Sequence, residues 1–345
     1  MKIGITYDLK TDAPAGADVP DDFQEEFDSP ATIESIAAVL RGLGHEVEKL
    51  GDGRPLLERL LVGPPEFIFN FAEGQGVGRS REARVPAVLE MLGIPYTGSD
   101  PLTLAVTLDK DCAKRLVAAS GVRCPRGVVI GPGDEPLEAI RRENGAFVYP
   151  ALLKPAWEGS SKGIRAKCLV DGPRELEESV GWLRRDHRQP ILAEEYVQGD
   201  ELTVGMIGND PPHVLGVMRV LPRQATERFV YSLEVKRDWQ RQVRYECPAA
   251  LPAECLRAVE GAALRAWHAL GCRDVARVDF RLRDGVPYFL EVNPLPGLNP
   301  ESSDLVIMAR LAGWDYERLV GSILTAALDR TRAANAPPTQ AATAV

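Results

Sequence analysis

Apolar and polar positions along the first hundred residues switch repeatedly between a period of two and a period near 3.6. Lys2–Tyr7 reads as a short strand, residues 31–43 as an amphipathic helix and 45–50 as a strand. Residues 66–71 (EFIFNF) give another strand, and 83–92 a helix stopped by Gly93. Strand–helix alternation of this kind predicts a parallel sheet covered by helices. Beyond PYTGSDP (95–101), dense in turn residues, the pattern gives a helix over Lys110–Ala119, strands at Gly127–Ile130 and 149–154, and a charged helix over 172–185. Strands at 191–197 and 201–207 read as a pair around Gln198-Gly199-Asp200. Residues 222–246 have poor periodicity and many Arg and Lys, and read as a mobile basic flap. Residues 254–270 place Cys255, Leu256, Val259, Ala263, Leu264, Trp267 and Leu270 on one helical stripe. Helices over 302–311 and 315–328 follow, and the Ala/Pro/Thr-rich tail from about 331 reads as disordered.

The clearest alternation lies between them. Ala276, Val278, Phe280 and Leu282 alternate with Arg277, Asp279 and Arg281; after Asp284-Gly285, Tyr288, Leu290 and Val292 alternate with Phe289, Glu291 and Asn293. A three-residue loop centred on Gly285 sets Asp279 opposite Glu291 and Arg277 opposite Asn293. Opposed side chains on such a face have Cβ atoms only ~5 Å apart. Two carboxylates and an amide oxygen that close repel one another unless a cation sits among them. Hard oxygen donors without nearby His or Cys suit Mg²⁺. The alternative at this stage is a solvated hairpin face with one Arg–Asp pair.

Composition narrows the class. At 345 residues the chain exceeds a single core, which predicts units at 1–101, 102–190 and 191–330, followed by the 331–345 tail. The net charge of −9 argues against a nucleic-acid or anionic-membrane binder while leaving room for a local basic pocket. The N-terminus enters a strand directly, and no run of about 18 apolar residues is present, so a soluble cytoplasmic protein is expected. The six cysteines, at 112, 124, 168, 247, 255 and 272, show no C-x-x-C spacing and read as reduced thiols. The four histidines lie far apart in the chain and receive no catalytic role.

Two loops at the carboxyl ends of strands in the first unit, 8–29 and 72–82 (AEGQGVGRSRE), stand where ligands collect in parallel sheets. The second is equally readable as a flexible connector. Between strands in the second unit, KPAWEGSSKG offers Lys154 and a run of backbone N–H groups and hydroxyls at Gly159, Ser160, Ser161 and Gly163, either a cradle for phosphate oxygens or simply a turn. Glu194 and Glu201 bracket the next turn, as surface charges or as adenine and ribose ligands.

Four segments in order, GIPYTGSDPLT leading to LDKDCAK, KPAWEGSSKG, EEYVQGDELTVG and RVDFRLRDGVPYFLEVNPLPGL, resemble the ATP-grasp superfamily and, within it, the D-alanine–D-alanine ligases. The resemblance covers nearly all of residues 1–325. It implies an α/β fold of the α+β ATP-grasp kind: an N-terminal parallel-sheet domain, then two mixed α+β subdomains clamping ATP. By the same resemblance Lys110 and Lys154 contact ATP phosphates, with Glu158, Ser160 and Ser161 in the loop above them. Glu194, Glu195 and Val197 form the adenine strand, Glu201 binds ribose, and Lys236 is a phosphate-contacting lysine of the ω-loop. Asp279, Glu291 and Asn293 hold two Mg²⁺ ions (or Mn²⁺), while Arg277 and the Gly297 N–H stabilise a tetrahedral intermediate. The implied partners are small amino acids or peptides, without nucleic acid or membrane, and a homodimer is compatible. The implied reaction is amide formation through an acyl phosphate. An enzyme that makes D-alanyl-D-alanine for the cell wall is the first rival, and a non-catalytic nucleotide-binding protein is the rival from another class, against which retention of these residues speaks.

Three departures bear on the substrate. The loop after the third strand carries Arg81 and Glu82 and lacks the family's histidine. Lys236 is followed by Arg237 where the family commonly has an aromatic. The glutamate for the first substrate's ammonium falls among Glu25, Glu26 and Asp28, with Glu26 the favoured match. Arg81, Glu82, Arg237 and Ser302 complete the expected substrate contacts, and the two arginines suggest a substrate with an extra carboxylate, hence a product other than D-alanyl-D-alanine.

Overall fold

The computed structural model describes residues 1–11, 19–142 and 147–335. Part of the expected 8–29 loop and residues 336–345 of the expected tail fall outside them. The first sheet is parallel throughout, in the order β2-β1-β3, built from β1 (Lys2–Tyr7), α1 (Pro30–Gly42), β2 (Glu46–Gly51), α2 (Gly53–Val62), β3 (Phe67–Phe71) and α3 (Arg84–Met91). Ser29 starts α1 by accepting the Thr32 N–H at 3.2 Å, with Pro30 in the first turn where its missing donor costs nothing.

Next come α4 (Pro101–Leu108) and α5 (Lys110–Ala119), separated by Asp109 alone. Asp109 has extended backbone and accepts the Cys112 N–H at 3.0 Å, so one residue both ends a helix and caps the next. That break points Lys110 inward. The second sheet, in the order β4-β7-β5-β6, comprises β4 (Gly127–Ile130), α6 (Pro136–Arg141), β5 (Ala151–Pro155), β6 (Leu169–Val170), α7 (Pro173–His187) and β7 (Ile191–Glu195). Ala151, Leu153, Ile191 and Ala193 pack under α7 with Leu176, Val180 and Leu183. The alternate residues Leu152, Lys154 and Glu194 therefore face the other way.

The third sheet is antiparallel, β10-β9-β8-β11-β12, formed by β8 (Asp200–Gly208), β9 (His213–Pro222), α8 (Leu233–Arg237), α9 (Trp239–Gln242), β10 (Val243–Glu246), α10 (Ala253–Leu270), β11 (Asp274–Arg283) and β12 (Val286–Asn293). Leu202, Val204, Met206, Ala276, Val278 and Phe280 bury against α10. Two further helices, α11 (Asp304–Leu311) and α12 (Tyr316–Asn335), join this sheet to the first one in a continuous core with Ile33, Ile36 and Leu40 of α1.

Several expectations are corrected. β7 and β8 do not pair; Gln198-Gly199 carries the chain from the second sheet into the third. The hairpin turn is Asp284-Gly285, two residues with φ of 52° and 75°, not a three-residue loop. The register nevertheless reaches Asp279↔Glu291 and Arg277↔Asn293, because a bulge at Leu290 absorbs the extra residue. The bulge also reverses the phase of β12, so Phe289 joins Val292 in the core rather than sharing a face with Glu291. The 222–246 segment contains two helical turns and a strand, and α12 continues to Asn335 into what was expected to be tail.

Candidate active site

Two cavities meet beside the β11–β12 hairpin. One, of about 70 Å³, is enclosed by the inward faces of the second and third sheets: Lys154, Glu194, Glu195, Val197, Glu201, Asp279 and the flap residues Val230 and Tyr231. The other, a cleft of about 280 Å³, runs from the loops of the first sheet to the Asn293–Asp304 segment and includes Lys110, Glu158, Ser160, Asn293, Gly297 and Ser302. Tyr231, Lys236, Arg277, Glu291 and Asp304 line both and form the junction. None of the four histidines lines either cavity.

The charges interlock. Lys154 Nζ lies 2.5 Å from Glu194 Oε1, and Lys114 Nζ 2.9 Å from Glu194 Oε2, all three side chains at most 8 % exposed. Burial opposes ionisation of Glu194, yet the two ammonium groups hold its carboxyl below the usual range. Lys110 Nζ is 3.3 Å from Glu291 Oε2 and also donates to the Glu158 carbonyl. Burial again acts against Glu291, but Lys110, Lys154, Lys236 and Arg277 together bring its pKa down to about 2. Arg277 donates to both oxygens of Asp279, at 3.1 and 3.0 Å, and reaches Asp304 Oδ2 at 3.6 Å. Asp279 also accepts from Thr203 Oγ1 at 2.6 Å and from the Asn293 amide at 3.2 Å.

This donor set fits a divalent ion. Asp279, Glu291 and Asn293 come from paired positions on one hairpin face, offer oxygen ligands, and lie beside cations suited to polyphosphate. Above them, Ser160 and Ser161 adopt φ of 50° and 58°, conformations that non-glycine residues pay for and that cluster at functional loops. The loop is tied to the flap through Ser161 Oγ donating to the Tyr231 carbonyl at 3.0 Å and the Leu233 N–H donating to Ile164 O. At Gly297 a Cβ would come within 2.8 Å of Ser303 Oγ, so a side chain here would displace the hydroxyl that accepts the Asn299 N–H.

All the expected site residues line one of the two cavities except Arg81 and Arg237. Arg81, 1 % exposed, is spent on Glu26 (2.6 Å), Glu158 (3.1 Å) and the Trp157 carbonyl. Arg237 turns outward from α8 to Asp21 (2.6 Å) and Glu25 (2.7 Å). Neither arginine is placed to receive a substrate carboxylate, and the extra-carboxylate expectation loses its basis. The sequence reading missed Tyr231, Asp304, Glu73 and Lys10. Tyr231 stands under the Lys236 ammonium, 5.0 Å from ring centre to Nζ, and its hydroxyl donates to Asp304 at 3.0 Å. An aromatic five residues before Lys236, rather than directly after it, was the available signal.

Glu82 lines the cleft while 8 % exposed. Burial first, then the charges of Glu26 and Glu158, raise its carboxyl to about 7, against the opposing pull of Arg81 and Lys110. The folded state therefore keeps a proton that the unfolded chain releases near 4.5, and stability falls as pH rises from there through about 7. Glu82→Gln removes that loss. Thermal unfolding without substrate should show the variant more stable than the parent at pH 8, by up to about 3 kcal/mol, and indistinguishable near pH 4.5. An equal shift at both pH values would contradict the assignment.

The family model described as "D-ala D-ala ligase C-terminus" matches residues 117–325. "Uncharacterized protein y4sG" of Sinorhizobium fredii is 34% identical over 305 residues, spanning 85% of this chain and 86% of that protein. The D-alanine–D-alanine ligase of Aquifex aeolicus is 33% identical over 297 residues, 85% of this chain and 94% of its own. In three dimensions, the D-alanine–D-alanine ligase of Bacillus anthracis complexed with ATP superposes with a TM-score of 0.73 at 23% identity, covering 97% of this chain and all of that one.

Proposed function

The chain belongs to the D-alanine–D-alanine ligase family of ATP-grasp enzymes, ATP-dependent ligases that form C–N bonds, and we propose that it joins amino acids or small peptides other than two D-alanines. The carrying observation is the junction itself: Arg277, Glu291 and Lys236 line both cavities, so a γ-phosphate in one and a carboxylate in the other meet at one wall. The three expected units, 1–101, 102–190 and 191–330, then each supply part of the enclosure.

Lys110, Lys154 and Lys236 neutralise the phosphates while a carboxylate oxygen of the donor bonds to the γ-phosphorus and ADP leaves. Asp279, Glu291 and Asn293 would hold Mg²⁺, which when bound would supply charge neutralisation at the transferring group. The amine nitrogen of the acceptor then bonds to the acyl carbon, loses a proton, and phosphate departs. Arg277 and the Gly297 N–H face the oxyanion formed on the way. The flap, bonded to the Ser160–Ser161 loop, keeps water from the acyl phosphate.

The reading of substrates other than two D-alanines is supported by the loop after β3, which presents Glu73 and Glu82 to the cleft and has no histidine. The second reading, a D-alanine–D-alanine ligase, is favoured by relatives of that name and by retained Ser160, Lys236 and Arg277. ADP release measured across a panel of donors and acceptors decides between them. Turnover with D-alanine alone, exceeding every other pair, would overturn our reading. Glu291→Gln should lower ADP release at least a hundredfold with any substrate, because the change removes a charge that four cations face; unchanged release would remove the proposed metal role.

A further inference from the structure

Arg277 keeps one nitrogen of its guanidinium out of any hydrogen bond to an acid. Its Nε and Nη2 donate to the two oxygens of Asp279 at 3.1 and 3.0 Å, the fork that a carboxylate fits. The remaining nitrogen, Nη1, has Asp304 Oδ2 beside it at 3.6 Å, too far for a hydrogen bond. Both residues line the junction of the two cavities. Asp304 opens α11 while Arg277 belongs to β11, so side-chain contacts decide how wide that gap stays.

Tyr231 supplies the contact. Its hydroxyl donates to Asp304 Oδ1 at 3.0 Å. That uses its single proton, so the Tyr245 hydroxyl, 2.6 Å away, is the donor in the bond between the two phenols. Burial first, then the Asp304 charge, push both phenols above their ordinary range, and each keeps the proton it donates. One oxygen of Asp304 is thus anchored on the tyrosines and the other stops short of Arg277. Tyr231 also joins the flap to the phosphate side of the site. Its carbonyl accepts Ser161 Oγ at 3.0 Å, and its ring lies 5.0 Å from Lys236 Nζ.

Without that anchor, the buried Asp304 carboxylate would have Arg277 as its ion-pair partner and would close on Nη1. An N–H already given to a carboxylate stabilises an oxyanion less, because the developing charge must displace a charged acceptor.

We propose that the Tyr231 hydroxyl is a positioning group: with the flap over the site it holds Asp304 off Nη1 and keeps the outer N–H groups of Arg277 free for the oxyanion. The inference rests on the oxyanion role given to Arg277 above and extends it to the flap.

The full-length protein would be assayed with ATP, Mg²⁺ and hydroxylamine, which attacks the acyl carbon of the acyl phosphate and releases phosphate, leaving a hydroxamate. Alanine, serine and lysine in both enantiomers would be the donors, and the most active one carried forward. Tyr231→Phe combined with Tyr245→Phe removes both anchoring hydroxyls and keeps both rings. The expected result is a kcat at least tenfold below the parent with the KM for ATP within twofold; Tyr231→Phe alone, the milder change, should lower kcat at least threefold. Adding Asp304→Asn to the double-phenylalanine protein should raise kcat at least threefold again, since an amide has no charge with which to hold Nη1. A loosened flap would instead raise the KM for ATP, and the third change would lower activity further. Such a result, or a double-phenylalanine protein within threefold of the parent kcat, overturns the inference and leaves the ligase reading standing. Arg277→Met run alongside separates the two claims, because a parental kcat there removes the oxyanion role itself. Absence of hydroxamate from the parent with every donor overturns both.

Discussion

Arg277→Met lowers kcat for amide formation by about 10²–10³-fold, or roughly 3–4 kcal/mol of barrier, the magnitude found when one preorganised oxyanion donor is removed. Arg277 suits that role because nothing about it needs to move. It is 8 % exposed, clamped by Asp279 at two oxygens and by Asp304, and emerges from a strand paired on both sides. Burial disfavours its charge, but Asp279 and Asp304 more than compensate and hold the guanidinium ionised. Arg277→Lys should fall between the two, since an ammonium keeps the charge but loses the forked contact with Asp279. Steady-state kinetics with saturating ATP is the check, and a kcat within threefold of the parent would remove Arg277 from the chemistry.

Glu194→Leu destabilises the protein by about 3–5 kcal/mol, the cost of removing one partner from a buried ionic group. Lys114 would then lie in the interior without its carboxylate partner, facing Lys154, which keeps only Glu291 and Glu201 as opposing charges: burial already depresses the Lys114 pKa, and Glu194 is the principal group resisting that. Acid produces a milder form of the same loss. The folded pKa of Glu194 lies below its ordinary value of 4.5, so its stabilisation is present above that value and disappears as pH falls through the depressed one. Urea unfolding measures the first effect, and the double variant Glu194→Leu with Lys114→Met should recover part of the stability. A single-variant loss under 1 kcal/mol would show that water, not Glu194, solvates the lysines.

The site was readable where its geometry follows from local periodicity. Alternation along β11 placed Arg277 and Asp279 on a common face, and the register against β12 was correct even though a bulge, not a longer turn, produces it. Such a bulge leaves no mark in a period-two pattern, which is why Phe289 was assigned to the wrong face. The β7–β8 connection failed for a different reason. Alternation shows that a segment is a strand and says nothing about which sheet accepts it. Arg81 and Arg237 were misjudged because a charge is defined by its partners, and Glu26, Glu158, Asp21 and Glu25 lie 55 to over 200 residues away in sequence. Helix α4 was missed because Asp109, one residue long as a break, hides a change of axis inside an apolar run.

The carboxylate of Asp21 is shared. One oxygen meets Arg165 of the glycine–serine loop at 2.5 Å and the other meets Arg237 of the flap at 2.6 Å, while Arg165 also lies 3.6 Å from Glu234. Two separate stretches of chain thus converge on one exposed acid, each by contacts that individually contribute little in water. Asp21 is one tie among several, since Arg237 also holds Glu25 at 2.7 Å and the Gly163 N–H donates to Asp22 at 2.9 Å, and the covering segments share their fastening to the 19–28 stretch. Because the fastening is ionic and exposed, raising salt should loosen it without touching the buried chemistry, and steady-state turnover followed against salt concentration is the measurement that checks this.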